Sequence, residues 1–233
     1  KQLTLLVDHT DEYNLALLKL KQLIEQGEVG ELRYLYSHRL NLGEFVRDTG
    51  VAWELASHDI YIALNWLNQV PERVSAKGLY YLQHRVEDVA FLLLEFKNGV
   101  TFHIHASWLD PDKIRKITIV GSEKMITYDD TNPDAKITIF DKKASLTNHD
   151  ATVIKDEADS FGQFQVSIRT GDILIPKIVF VEPLRLLIEH FADCVLSGEK
   201  PRSAGDKALN VVRVLDAAHK SMKLNGQSVM VEN

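Results

Sequence analysis

The sequence predicts an α+β fold, a large open, mostly antiparallel sheet with helices packed on one face. Three observations predict it. Apolar residues recur at helical spacing near the start and near the end of the chain, with a long stretch of strand-like runs between them. Several of these runs are joined by short connections, so neighbours in sequence should pair antiparallel as a meander. One junction, Asn98-Gly99 between Val86–Phe96 and Val100–Trp108, is a hairpin signal, because both residue types tolerate positive φ.

Lys1 to Asp8 reads as a short strand with no preamble. Thr10 or Asp11 can cap the helix that follows, whose Leu15, Leu18, Leu20, Leu23 and Ile24 fall at helical spacing before Gly27 and Gly30 stop it. Residues 31–41 read as a strand and 42–51 as a polar loop. An aromatic-rich helix from Trp53 to about Leu67 ends at Asn68 and Pro71. Beyond the hairpin, Ile114–Val120, Met125–Tyr128, Lys136–Phe140 and Ile173–Phe180 read as strands, with 142–164 as a long polar loop. Glu182-Pro183 opens a helix, proline being suited to a first turn. Leu184, Leu187, Ile188, Phe191 and Val195 form its stripe and Gly198 ends it. Asp206 opens another, with Leu209, Val212, Leu215 and Ala218 on one face, and Gln227–Val231 is a final strand.

The 233 residues are 45% hydrophobic and 26% charged, which suits one large domain with a sizeable core. The formal charge of -6 speaks against a nucleic-acid partner. One cysteine, Cys194, permits neither an internal disulfide nor a Cys-rich zinc site. The apolar runs fall well short of the roughly 18 residues of a membrane helix, and no signal peptide opens the chain, so cytoplasmic residence is the expectation. No two glycines stand two positions apart, so the G-x-G-x-x-G cradle of a dinucleotide site is absent, as is a phosphate-binding P-loop.

The stretch richest in chemistry is Trp53-Glu54-Leu55-Ala56-Ser57-His58-Asp59-Ile60. Glu54 and His58, four apart on a helix, share a face, and a carboxylate beside an imidazole can orient the ring as a general base. A solvated or capping pair explains the same spacing. A metal site would need a third ligand from elsewhere. Arg39, Asn41 and Arg47 offer donors for a carboxylate or diphosphate, although Arg39 at a strand end and Arg47 in a loop are also ordinary solvated charges. Tyr13 and Asn14 are further candidates, with capping an equal account of Asn14. His103 and His105 point to one face of a strand and read as sheet-surface residues. Cys194 reads as a packed thiol, and Trp53, Trp66 and Trp108 as packing residues.

Trp53 to Ile60 resembles the W-D-L-A-P-H-D-I segment of the Gfo/Idh/MocA oxidoreductases, most narrowly the branch acting on nucleotide-activated N-acetyl sugar acids. Residues His9 to Asn14, Tyr36 to Gly43, Ser107 to Lys116, Glu182-Pro183-Leu184 with His190-Phe191, and Lys200 to Ser203 are similar to further family segments in the same order. The resemblance implies that residues 1–9 are the last strand of a Rossmann domain otherwise absent and that 10–233 form a substrate-binding and oligomerisation domain. It implies an NAD(P)-dependent sugar or nucleotide-sugar dehydrogenase, with NAD or NADP bound by the complete protein and hardly by this chain alone. By the same resemblance His58 is the catalytic histidine and Glu54 takes the place of a family aspartate. Asp59 is the acid that follows, and Arg39, Asn41, Arg47, Asp59 and Tyr13 are the expected substrate-binding residues. A homo-oligomer through the sheet face is also expected. The alternative is a non-catalytic ligand-binding or homo-oligomerisation domain of the same fold.

Overall fold

The structure is a computed structural model and describes residues 3–43, 45–146 and 166–232. Its centre is a nine-stranded sheet. The strands are β1 (Leu32–Leu42), β2 (Arg73–Leu79), β3 (Val89–Glu95), β4 (Thr101–Ser107), β5 (Leu109–Gly121), β6 (Met125–Asp129), β7 (Ile137–Leu146), β8 (Val166–Leu174) and β9 (Val229–Met230). Their order across the sheet is β8-β7-β6-β5-β1-β4-β3-β2-β9. The four α-helices are α1 (Leu15–Glu25), α2 (Ser57–Leu67), α3 (Pro183–Ser197) and α4 (Gly205–Lys223). A 3-10 turn, Thr10–Tyr13, precedes α1, and a π-helical segment, Ala52–Ala56, runs into α2.

The expected α+β architecture is present, with one departure from a meander. Strand β1 lies between β4 and β5, parallel to β4 and antiparallel to β5. The β3–β4 hairpin follows the Asn-Gly signal, but only Gly99 takes positive φ, at 81°. The side chain of Asn98 instead accepts a hydrogen bond from Val100 N at 3.2 Å.

Local chemistry sets the helix ends. Helix α1 is capped by Asn14, whose side chain accepts from Ala16 N at 2.9 Å, rather than by Thr10 or Asp11, which belong to the turn before it. Gly30, at φ 71°, closes the exit, and a Cβ there would stand 2.4 Å from Ser122 Oγ, so no larger residue fits without displacement. Asn68, left-handed at φ 49°, ends α2. The entry to that helix is set from afar. Buried Glu87 accepts from Ala52 N at 3.1 Å through its side chain and from Val51 N at 3.0 Å through its carbonyl.

Helices α1, α2 and α4 share one core with the inward residues of the sheet, including Leu20, Ile60, Val214, Ile104 and Ile119. Full burial of each such aliphatic side chain stabilises by about 1.5–3 kcal/mol. Trp66, on α2, ties that helix to α1 by donating from Nε1 to Leu17 O at 3.2 Å. Trp66 and Trp108 are buried, whereas Trp53 is half exposed.

Several element expectations shift. Residues 3–8 form no sheet strand. Leu6 makes an isolated bridge to Ala204, and Val7 N donates to Ser203 O at 2.9 Å. The strand expected at Ile173–Phe180 is displaced: β8 ends at Leu174 and 175–180 are irregular. The polar stretch after 142 starts as strand, because β7 continues to Leu146, and the rest of it to 164 lies outside the described residues. Helix α4 starts at Gly205 and turns Val211, Val214, Leu215, Ala217 and Ala218 inward, leaving Leu209 and Val212 exposed. Of the α3 stripe only Leu187 is buried, together with Cys194. Leu184, Ile188, Phe191 and Val195 face outward.

Candidate functional site

A cleft of about 540 Å³ opens where the Thr10–Tyr13 turn, the π-helical segment, the middle of β5, the β6–β7 connection and the 178–183 stretch converge. His58 and Glu54 both line it, so the shared face read from their spacing is present. The hydrogen bond is not between them. The carboxylate on His58 is that of Asp11, with Nδ1 to Oδ2 at 2.8 Å. Glu54 is exposed and forms no ion pair among the described residues. The wider π turn sets it on the cleft wall, while the turn before α1 brings Asp11 against the imidazole.

Burial alone would raise the Asp11 pKa. The hydrogen bond from His58, with the charges of His58, Arg39 and His9, outweighs it and holds the carboxyl below its ordinary value. Asp11 is therefore an anion at neutral pH. It accepts the Nδ1 proton, so that in the neutral imidazole the lone pair lies on Nε2.

The turn carrying Asp11 is braced from behind. Glu12, 6% exposed, accepts from Tyr61 Oη at 2.5 Å and lies 3.6 Å from Lys207 Nζ. Burial, then the bond to Glu12, pushes the Tyr61 phenol well above its ordinary pKa, so it remains a donor. His9 stacks on Tyr61 at 4.0 Å. This brace fixes the Asp11 backbone against α2, which carries His58.

The remaining candidates divide. Arg39 reaches the cleft, but its fork closes on Asp59. Nη2 and Nε both donate to Oδ1, at 2.9 and 3.2 Å, and Ser37 Oγ donates to Oδ2 at 3.1 Å. Asp59, 1% exposed, lies behind the cleft wall and is Arg39's counter-ion. Asn41 and Arg47 are not among the residues lining the cleft, and Arg47 is exposed in the loop after β1. Tyr13 is buried away from it, against α3, with its ring 5.6 Å from His190.

On the opposite wall, Asn14 Nδ2 donates to Tyr128 Oη at 3.1 Å, and Tyr128 Oη donates to Asp130 Oδ1 at 2.9 Å. Burial and the Asp130 charge raise the Tyr128 pKa, so the phenol keeps its proton. Lys136 Nζ donates to Asp130 O at 2.9 Å and to Oδ1 at 3.3 Å, and Arg115 Nη1 stands 3.8 Å from Asp130 Oδ2.

Residues 17–127 match the GFO/IDH/MocA C-terminal domain. Over the whole described chain the fold matches that of solved oxidoreductase structures. It superposes on the aldose-aldose oxidoreductase of Caulobacter crescentus in complex with glycerol with a TM-score of 0.73 at 14% identity, over 97% of this chain and 64% of that one. The UDP-N-acetylglucosamine 3-dehydrogenase GnnA of Acidithiobacillus ferrooxidans gives 0.65 at 20%, over 95% and 62%. The WlbA dehydrogenase of Bordetella pertussis, in complex with NADH and UDP-GlcNAcA, gives 0.69 at 18%, over 99% and 64%. The chain thus spans less than two thirds of each of these structures. No curated protein sequence matches it.

Within this fold, the cleft residues that sequence reasoning missed are Asp11, Tyr128, Asp130, Arg115 and Lys136. The sequence marks Asp11 as a possible cap and as part of the His9 to Asn14 segment, with no role at His58. Its pairing with a residue 47 positions away has no periodic signature. Cys194, buried as expected of a packed thiol, has an imidazole neighbour one turn earlier: His190 Nε2 lies 3.4 Å from its Sγ. Among the described residues, no group of three or more His, Cys, Asp or Glu side chains is placed to hold a metal ion, and no helix is long and apolar enough to cross a membrane.

Proposed function

We propose that this chain is the substrate-binding part of an NAD(P)-dependent sugar or nucleotide-sugar dehydrogenase, with His58 as the base that takes the proton of the reacting hydroxyl. The Asp11–His58 pair at the wall of the cleft carries the reading. An imidazole on the cleft wall whose Nδ1 is held by an anion keeps Nε2 for a second partner, the arrangement a general base requires. A sugar hydroxyl that loses its proton to Nε2 and its carbon-bound hydride becomes a carbonyl, and the imidazolium that forms is stabilised by Asp11. Glu54 stands beside the same opening and orders the hydroxyl or its water. Asn14, Tyr128 and Asp130 present a polar wall suited to further hydroxyls.

The described residues do not fit a dinucleotide. Glycines at G-x-G spacing are absent, and the Ala16 amide in the first turn of α1 is already capped by Asn14. The nicotinamide cofactor, which would supply the hydride acceptor, is assigned to a Rossmann domain of the complete protein, which residues 1–9 would join. The structural relatives crystallised with NADH or named as sugar oxidoreductases support this reading.

A second reading, homo-oligomerisation through the sheet, is favoured by the open face. There Tyr34, Tyr36, His38, Phe91, His103 and His105 form a continuous ring-to-ring patch, with Phe91 stacked on His105 at 4.4 Å. His58→Ala in the complete protein separates the roles. The base reading requires loss of turnover with fold and assembly retained. Unchanged turnover removes His58 from the mechanism.

A further inference from the structure

A second pocket, of about 210 Å³, lies at the C-terminal end of α2, away from His58, against the first turns of α4. Its apolar lining is Tyr61, Leu64 and Val70. Its polar lining is four side-chain amides, those of Asn65, Asn68, Gln69 and Asn210, and the ammonium of Lys207. Lys21 Nζ donates to Asn65 Oδ1 at 2.8 Å, and Arg213 Nη1 donates to Asn210 Oδ1 at 2.9 Å. A cation can meet an amide only at its oxygen, so both NH2 groups are left to donate elsewhere, and neither has an acceptor among the described residues. Lys207 Nζ, 45% exposed, stands 3.6 Å from Glu12 Oε1, beyond hydrogen-bond distance. Gln69 Oε1 is buried and has no donor among the described residues. Three donors and one buried acceptor are thus unmet around one pocket. Its charge favours an anion. Lys21, Lys207 and Arg213 border it, against Glu12 and Glu25. The C-terminus of α2 and the first turn of α4 bring opposite partial charges of about half a unit, which cancel.

We infer that this pocket binds a small hydroxylated carboxylate. The carboxylate accepts from Lys207 and from the amides of Asn65 and Asn210. A hydroxyl donates to Gln69 Oε1, and the carbon chain packs on Tyr61, Leu64 and Val70. The volume equals the share of about seven water molecules, which suits a ligand of roughly six to ten non-hydrogen atoms. Lys207 also faces Glu12, the acceptor of Tyr61 in the brace behind Asp11, so ligand and Glu12 compete for one ammonium.

The probes are D-glycerate, propionate, which lacks the hydroxyls, and glycerol, which lacks the carboxylate. Each is titrated against the complete protein by ligand-observed NMR. Glycerate should bind tightest, with the other two weaker by about fivefold or more. Lys207→Met should weaken glycerate by about tenfold or more and Asn210→Leu several-fold, each with an unchanged circular dichroism spectrum. Glu12→Gln keeps an acceptor for Tyr61 but removes the competing charge, and should tighten glycerate several-fold. His58→Ala, in the other cleft, should leave the affinity as it is. Absence of glycerate binding overturns the inference, as does glycerol or propionate binding equally well. So does an affinity unmoved by both Lys207→Met and Asn210→Leu. Loss of binding in His58→Ala would assign the ligand to the cleft and overturns it too.

Discussion

Asp59→Ala should destabilise the protein severely, and the reason lies in what it leaves behind. The carboxylate is 1% exposed and accepts three hydrogen bonds, two from Arg39 and one from Ser37. Arg39 is itself 9% exposed, so loss of Asp59 leaves a largely buried guanidinium without its hydrogen-bonded counter-ion, only its edge reaching the cleft. Breaking one side of such a pair costs about 3–5 kcal/mol, a large part of the ~5–15 kcal/mol that holds a domain folded. With a urea dependence of about 2 kcal/mol per molar, the unfolding midpoint should fall by roughly 2 M. Replacing both partners, Arg39→Met with Asp59→Leu, removes the charge with the counter-charge and should cost far less than the two single changes together. Urea unfolding of the four proteins, followed by tryptophan fluorescence, measures this. Additive single effects, or an Asp59→Ala midpoint close to wild type, would refute the buried-pair argument. Loss of substrate binding with no loss of stability would instead restore Asp59 to the substrate contacts implied by the sequence.

His58→Ala should lower kcat of the complete protein by about 10²–10⁴-fold with an unchanged circular dichroism spectrum, the range removed with a positioned proton acceptor. Asp11→Asn keeps the shape but removes the anion that fixes the imidazole tautomer. Steady-state kinetics should show kcat falling more than KM changes, and an equal rise in KM with kcat intact would exclude the positioning role. Burial lowers the pKa values of His103 and His105, with the nearby His38 adding to the effect. Protonation of the unfolded chain then begins first. The native state should lose stability as pH falls below the ordinary value of 6.5, with no such loss above it. His103→Gln with His105→Gln should flatten the urea-midpoint profile between pH 6.5 and about 5, and an unaltered profile would assign the slope to other groups.

What could be read from the sequence followed the reach of each signal. Helix α1 and the β3–β4 hairpin rest on local periodicity and turn chemistry, and both are present within a few residues of the expected bounds. The insertion of β1 between β4 and β5 was not legible, because no local pattern says which of several apolar strands a given strand joins. The same division holds in the site. The motif around His58 and its shared face with Glu54 could be read from spacing, whereas the Asp11 partnership, the Arg39–Asp59 closure and the Tyr128–Asp130 wall join elements far apart in sequence. The α3 stripe shows a further limit. Periodicity marks a helix face as apolar but does not say whether these residues themselves cover it, and Leu184, Ile188 and Val195 remain uncovered.

The position of β1 also shapes how the chain is made. Residues 32–42 emerge from the ribosome before both flanking strands, β4 and β5, which are completed only at Gly121. At translation rates of about 5–20 residues per second, that strand waits on the order of ten seconds with both edges unpaired. Loop-closure entropy opposes every one of those late pairings, so folding should be slow relative to helical proteins of similar size. During synthesis, the segment that later anchors the cleft is therefore the stretch most exposed to pairing with another nascent copy.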